Sequence, residues 1–133
     1  MAVQYRAVIV GLLCALSGCQ GTTMSEIRAQ EPVFAMTSQK SIGATVVCLT
    51  NTQVFDELAD RVHILALPDQ RQEEIAIGAV QAGKFKSYYL VTLKNAERGS
   101  VVEIRRYASY YAPLSEDELK ATVVTCEAGG YQD

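Results

Sequence analysis

The sequence predicts a small α+β domain in which a four-stranded antiparallel sheet carries an N-terminal and a C-terminal helix on one face, in the order α-β-β-β-β-α. Two segments near the ends place apolar residues at helical spacing, and four segments between them have strand-like patterns. The links between the strand segments are short, which favours a meander in which each strand pairs with the next. The expected architecture is a two-layer sandwich.

The first predicted helix extends from Ser41 to Ala59. Its apolar residues lie near one stripe at helical spacing: Ala44, Val47, Cys48, Phe55, Leu58 and Ala59. The stretch Ala-Thr-Val-Val-Cys-Leu-Thr is rich in β-branched residues and is also compatible with a strand. Because the segment is long and has no glycine or proline after Gly43, a helix is favoured.

Four strand segments follow: Val62–Leu67, Glu73–Val80, Ser87–Lys94 and Ser100–Tyr107. The second and fourth alternate apolar with polar residues, which is typical of strands with one solvated face. The third is apolar on both faces and is expected near the centre of the sheet. Proline or glycine marks each link, as expected for turns.

The last helix has the clearest local signal. Ser115 is a predicted N-cap with Glu118 three residues later, which is the capping-box arrangement. Leu114 and Leu119 have the spacing of a hydrophobic staple. Cys126 lies on the apolar face of this helix, and two consecutive glycines follow where the helix is expected to end.

The N-terminus has the pattern of an export signal. Met1–Arg6 carries positive charge without an acidic residue, and Ala7–Leu16 is an apolar run of about ten residues. A bilayer-spanning helix needs about 20 apolar residues, so a permanent span is not expected. With Ser17, Gly18 and Cys19 the run continues as Leu-Ser-Gly-Cys, which resembles the lipobox of bacterial lipoproteins. An ordinary secretory signal and a short buried helix are the alternatives.

The resemblance implies cleavage after residue 18 and lipidation of Cys19, with a diacylglycerol on its sulfur and acylation of its amine. Such a protein is held on a membrane by two or three acyl chains. In Gram-negative lipoproteins an aspartate at the next position commonly signals inner-membrane retention. Gln20 stands there instead, so the resemblance favours the periplasmic face of the outer membrane.

The expected domain organisation is a signal peptide at residues 1–18, a lipidated anchor and flexible tether at 19–39, and a single domain at 40–133. The tether is mostly polar and has no sustained periodicity. Its one apolar patch, Pro32–Met36, is expected to fold back onto the domain; a docking segment for a partner is the alternative.

The cysteines predict a disulfide. Cys14 would leave with the signal peptide and Cys19 would carry lipid, so Cys48 and Cys126 would remain together in an oxidising compartment. A bridge between them would close a loop of about 80 residues and stabilise the fold by about 4–5 kcal/mol in the chain-entropy model. It also requires both helices to lie on the same face of the sheet. Two buried free thiols are the alternative.

Composition and motifs argue against several functions. The chain has a formal net charge of −3 and no run of lysine and arginine, so nucleic-acid binding is not expected. We find no glycine-rich phosphate loop, Gly-x-Ser-x-Gly setting or metal-ligand spacing, and we expect neither a cofactor nor a metal. The only histidine, His63, is expected at an exposed rim. The adjacent carboxylates Glu73–Glu74 and Glu116–Asp117 do not suggest an acid/base dyad, so the protein is not expected to be an enzyme.

One cluster predicts a binding face: Arg105, Arg106, Tyr107, Tyr110 and Tyr111, with Tyr88 or Tyr89 alongside on a neighbouring strand. Tyrosine and arginine are enriched where proteins bind one another. We expect these residues on the helix-free face of the sheet, in contact with a protein partner. In the alternative, some tyrosines fill the core, others cover a strand, and the arginines are solvated.

The sequence thus predicts a lipid-anchored, periplasm-facing lipoprotein that serves as a non-catalytic interaction or accessory module of the cell envelope. Its expected partners are the membrane, through Cys19, and an envelope protein. An inhibitor or exclusion protein that binds an incoming enzyme or molecule is the main alternative. A small hydrolase that uses His63 is the third.

Overall fold

The computed structural model describes residues 22–107 and 114–127. Within these ranges the chain forms four α-helices and five β-strands. The helices are α1 (Met24–Arg28), α2 (Ile42–Thr50), α3 (Gln53–Glu57) and α4 (Glu116–Glu127). The strands are β1 (Phe34–Ser38), β2 (Val62–Leu67), β3 (Gln72–Gln81), β4 (Lys84–Asn95) and β5 (Ser100–Arg106).

The strands form one antiparallel sheet in the order β1-β5-β4-β3-β2, which confirms the α+β class. β2 to β5 form the expected meander. The predicted count of four strands is wrong, because Phe34–Ser38, expected within a flexible tether, pairs with β5 as a fifth strand. Phe34 and Met36 alternate with exposed small residues and pack against the core, which gives this short segment one buried face.

Gly99 allows the β4–β5 turn to approach the end of β1. Its φ is +76°, a conformation that glycine adopts far more readily than other residues. A Cβ atom at this position would lie 1.9 Å from the carbonyl oxygen of Ser38. The turn therefore fits against β1 only because residue 99 has no side chain.

Three helices, α2, α3 and α4, cover the first face of the sheet. The single helix predicted for Ser41–Ala59 is wrong, because the chain breaks at Asn51 and Thr52. The Thr52 hydroxyl donates a hydrogen bond of 2.7 Å to the carbonyl oxygen of Leu49 and accepts one of 3.4 Å from the amide of Phe55. This side chain satisfies the end of α2 and the start of α3, so it competes with a continuous helix.

The main core lies between these helices and the first face. Its buried side chains include Leu49, Phe55, Ile75, Ile77, Val91, Leu93, Val102, Ile104, Leu119 and Val123. The predicted disulfide joins Cys48 of α2 to Cys126 of α4, with their Cα atoms 5.8 Å apart. Ser115 caps α4 as predicted, since its hydroxyl accepts a hydrogen bond of 3.2 Å from the amide of Glu118.

The second face of the sheet carries α1, contrary to the expectation of a helix-free surface. Ile27 of α1 is fully buried and packs against Ala76 of β3 and Leu90 of β4. The two-layer description therefore omits a short third layer on this side. No helix in the described ranges is both long and apolar enough to cross a membrane.

Candidate functional site

Local contacts place α1 over β4. The backbones of Thr22 and Ser87 exchange hydrogen bonds of 3.1 and 2.8 Å, which form an isolated antiparallel bridge. Thr23 is the N-cap of α1, because its hydroxyl accepts a hydrogen bond of 3.3 Å from the amide of Glu26. The burial of Ile27 then fixes which side of this short helix faces the sheet.

A partly buried ion pair attaches α1 to the sheet. The side chain of Glu74 in β3 is only 1% exposed, whereas that of Arg28, the last residue of α1, is 43% exposed. The Arg28 guanidinium donates hydrogen bonds of 2.6, 2.9 and 3.1 Å to the two carboxylate oxygens. These bonds raise the pKa of Arg28. Because a buried carboxylate is costly without such a partner, the pair holds the segment before β1 against the sheet.

A second charged network lies beside this pair. Arg105 of β5 and Lys94 of β4 contact the carboxylate of Glu103 at 2.8 and 3.1 Å. The Nε atom of Arg105 also donates a hydrogen bond of 2.9 Å to the carbonyl oxygen of Gln30, and Nη1 lies 3.5 Å from Oγ1 of Thr92. Burial acts to raise the pKa of Glu103, but Lys94 and Arg105 outweigh it, so this pKa lies below its ordinary value.

These side chains border a groove of about 280 Å³ on the second face, next to α1. We name it the charged groove; its lining residues are Arg28, Leu67, Gln70, Gln72, Glu74, Leu90, Thr92, Lys94 and Arg105. Three of the lining residues are cations and one, Glu74, is a carboxylate. Glu103 does not line the groove but pairs with Lys94 and Arg105. The groove is therefore locally positive, whereas the whole chain has a formal net charge of −3.

The predicted tyrosine/arginine face is divided between the two sides of the sheet. Arg105 borders the charged groove, whereas Arg106 forms an ion pair of 3.5 Å with the glutamate that begins α4 on the first side. Consecutive residues of a strand point to opposite faces, which separates these two arginines. Tyr107 packs half-buried against the cluster around α1. Tyr110 and Tyr111 lie outside the described residues.

Tyr88 and Tyr89 belong to the core and not to an exposed face. The Tyr89 hydroxyl donates a hydrogen bond of 2.9 Å to the carbonyl oxygen of Leu114, and burial raises the pKa of this tyrosine. The Tyr88 hydroxyl accepts a hydrogen bond of 2.8 Å from the side-chain amide (Nε2) of Gln81. Both side chains thus follow the core alternative, not the binding-face prediction.

The other candidate residues do not assemble into a reactive site. His63 is exposed on β2, with its ring centroid 4.0 Å from that of Phe85. The carboxylates of Glu74 and Glu116 are engaged in ion pairs. Across residues 22–107 and 114–127, no group of three or more His, Cys, Asp and Glu side chains is placed to hold a metal ion. Cys19 lies outside the described residues, so its lipidation stays a prediction.

The sequence prediction included Arg105 but not Arg28, Glu103 or Lys94. Arg28 lies in a segment without sustained periodicity, and its partner Glu74 is 46 residues away, so spacing gives no signal for this pair. Glu103 and Lys94 could have been found from the sequence, because polar residues at alternate positions of β4 and β5 mark one face of the sheet.

No protein-family model matches this chain, and no significant match was found among curated proteins or solved structures.

Proposed function

We propose that this chain is a lipid-anchored lipoprotein of the cell envelope that acts as a non-catalytic binding module, with the charged groove as its contact surface for a partner protein. The observation that carries the proposal is a positive, solvent-open groove on the sheet face opposite the disulfide-linked helices. Arg28 and Lys94 are partly exposed there. Because lysine and arginine form charge-assisted hydrogen bonds with carboxylates, the groove suits an acidic segment of the partner.

Two independent features support an exported, anchored chain. The Cys48–Cys126 disulfide is typical of proteins that fold in an oxidising compartment and is uncommon in the cytosol. The lipobox resemblance of Leu16 to Cys19 supplies both the export signal and the lipid anchor. With Gln20 after the anchor cysteine, we propose the periplasmic face of the outer membrane as the location.

The hydrogen bonding of the charged groove supports binding and not catalysis. Glu74 accepts three hydrogen bonds from Arg28, and Arg105 directs Nε, Nη1 and Nη2 to neighbouring groups. A general base or a nucleophile needs an accessible atom within reach of the substrate. In and beside the charged groove the carboxylates of Glu74 and Glu103 are engaged in ion pairs, and the accessible charged atoms belong to Arg28 and Lys94.

Site-specific photo-crosslinking in intact cells tests this function. A photoreactive amino acid at Gln70, exposed at the rim of the charged groove, is expected to form an adduct with one envelope protein. The same amino acid at Val124, exposed on α4 at the opposite side, is expected to form no such adduct. Lys94→Glu reverses one accessible cation and is expected to reduce the Gln70 adduct by about fivefold.

Lys84→Glu is the matched control, because it makes the same charge change at an exposed position in the first residue of β4, away from the groove. It is expected to leave the Gln70 adduct unchanged. Equal adducts from Gln70 and Val124, or equal effects of the two lysine variants, would contradict the charged groove as the contact surface.

A further inference from the structure

β2 is a sheet edge without the usual protection against pairing. It is the terminal strand of the sheet, so within the described chain one row of its backbone amides and carbonyls has no strand partner. Val62–Leu67 contains neither proline nor a residue charged at neutral pH, and Ile64 and Leu65 are 49% and 37% exposed. Edge strands of monomeric proteins usually carry a charge, a bulge or a proline that prevents pairing with another chain.

The exposed apolar side chains of β2 lie on both faces. Its register with β3 places Ile64 opposite Ile75 on the first face and Leu65 opposite Glu74 on the second. A groove of about 210 Å³ adjoins Ile64 on the first face. In the other edge strand, β1, the fully exposed side chains are the small ones of Ala35 and Thr37, and Phe34 and Met36 are half-buried. Covering β2 would therefore remove more exposed apolar surface from water than covering β1 would.

We propose that β2 pairs antiparallel with β2 of a second copy of this chain, so that the two five-stranded sheets become continuous. Side chains that lie directly opposite each other in an antiparallel pair are on the same face of the sheet. When a two-fold axis relates the two strands, this is possible only if one residue lies opposite its own counterpart in the second copy. The register centred on Leu65 sets Ile64 opposite Ala66 of the second copy and His63 opposite Leu67 of the second copy. This proposal does not depend on the proposed function, although Leu67 at the end of β2 also lines the charged groove.

Charge complementarity favours a second copy as the partner and selects the register. Arg61 directly precedes β2 and Asp69 follows it; both are exposed, and neither forms an ion pair within the described residues. Arg61 ends the 3₁₀ turn before β2, and Asp69 lies in the 3₁₀ turn after it. In the register centred on Leu65, the turn that holds Arg61 in each copy comes next to the turn that holds Asp69 in the other, so opposite charges approach each other at both ends of the pair. A register centred on Ala66 would bring the turn with Arg61 toward Arg71 of the second copy, which follows the second turn, so like charges would approach each other.

A charge swap tests this partner. The full chain carrying Cys14→Ser and Cys19→Ser is studied by sedimentation equilibrium in a mild detergent that disperses the apolar N-terminal run. Arg61→Asp and Asp69→Arg are each expected to raise the dimer Kd by about tenfold, because two attractions become repulsions. The double variant restores opposite charges across the interface and is expected to return the Kd to within about threefold of the parent value.

Arg98→Asp, a matched charge reversal in the exposed β4–β5 turn, is expected to leave the Kd unchanged. A parent chain that stays monomeric up to about 1 mM overturns the proposal. A double variant that is as weak as the single variants overturns it too, because independent damage to the fold would not be reversed by the swap.

Cysteine placement tests the register in the same background. Residues directly opposite each other in an antiparallel pair have Cβ atoms about 4.5–5.5 Å apart, close to disulfide range. Leu65→Cys, opposite its own counterpart, is expected to form a disulfide-linked dimer under mild oxidation. Ile64→Cys, opposite Ala66 of the second copy, is expected to form several-fold less. Equal linking of the two variants, or more linking through position 64, overturns the register.

Discussion

Arg28 and Glu74 form a partly buried ion pair that makes the segment before β1 part of the folded domain. The two residues are 46 positions apart, and three hydrogen bonds connect the guanidinium to the carboxylate. The carboxylate is almost inaccessible to solvent, whereas the guanidinium is partly exposed.

Removal of Arg28 is expected to destabilise the protein. Arg28→Ala should lower the free energy of unfolding by about 2 kcal/mol, because it leaves the carboxylate of Glu74 buried and unpaired; exposure of the arginine limits the loss. Replacing both residues by methionine should recover most of it, since no buried charge remains. Urea denaturation measures both variants, with exposed Arg98→Ala as the control. A double variant as unstable as Arg28→Ala would refute this account.

The lowered pKa of Glu103 predicts a stability difference that depends on pH. At neutral pH, Glu103→Gln should cost about 1 kcal/mol, because an amide cannot replace the ion pairs with Lys94 and Arg105. The folded-state pKa lies below the ordinary value of 4.5. The parent protein is therefore more stable than Glu103→Gln by the full amount at pH values above 4.5, and it loses this extra stability as the pH falls through the folded-state pKa of Glu103.

Chemical denaturation of the parent and Glu103→Gln proteins at pH 7 and at about pH 3 measures this difference. The difference should shrink strongly at the lower pH. Glu97→Gln, at an exposed position in the β4–β5 turn, should show little difference at either pH. A difference for Glu103→Gln that stays constant with pH would argue against the ion pairs as its source.

Three glycine-to-alanine variants should differ in sign and size. Gly99→Ala should destabilise by more than about 2 kcal/mol, since the new Cβ meets the Ser38 carbonyl and φ is positive. Gly83 has the same φ but open space around it, so Gly83→Ala should lower the free energy of unfolding by only about 1 kcal/mol. Gly43→Ala lies exposed in α2 with nothing within 4 Å and should stabilise by up to about 1 kcal/mol. Thermal denaturation gives the order, and similar losses for Gly99 and Gly83 would exclude the close contact.

Features with a local signal could be predicted from the sequence. The cap at Ser115 and the patterns of the four later strands, two alternating and one apolar on both faces, depend on neighbouring residues, so α4 and β2 to β5 are found within a few positions. The Cys48–Cys126 bridge could be predicted because the lipobox resemblance leaves only two thiols to pair. Strand alternation in β5 likewise predicts that Arg105 lies on the opposite face from Val102 and Ile104.

Features set by distant contacts could not be predicted. Phe34 and Met36 are a single alternation, too short to predict β1 without its partner Ile104. Tyr88 and Tyr89 are consecutive yet both buried in the main core, next to a register shift at Ile77/Gly78, and an ideal strand pattern does not show such a bulge. The charged groove depends on α1, whose position the pairing of Arg28 determines.

The bridge between Cys48 and Cys126 spans 78 residues and encloses α3 and the strands β2 to β5. A chain that crosses a membrane from its N-terminus delivers the first of these sulfurs long before the second. If the proposed export takes place, the earlier thiol therefore stays reduced, or forms a mixed disulfide with an oxidoreductase, until the meander has passed through. Under the proposed export, the oxidation state of the pair would thus depend on how far the polypeptide has crossed the membrane.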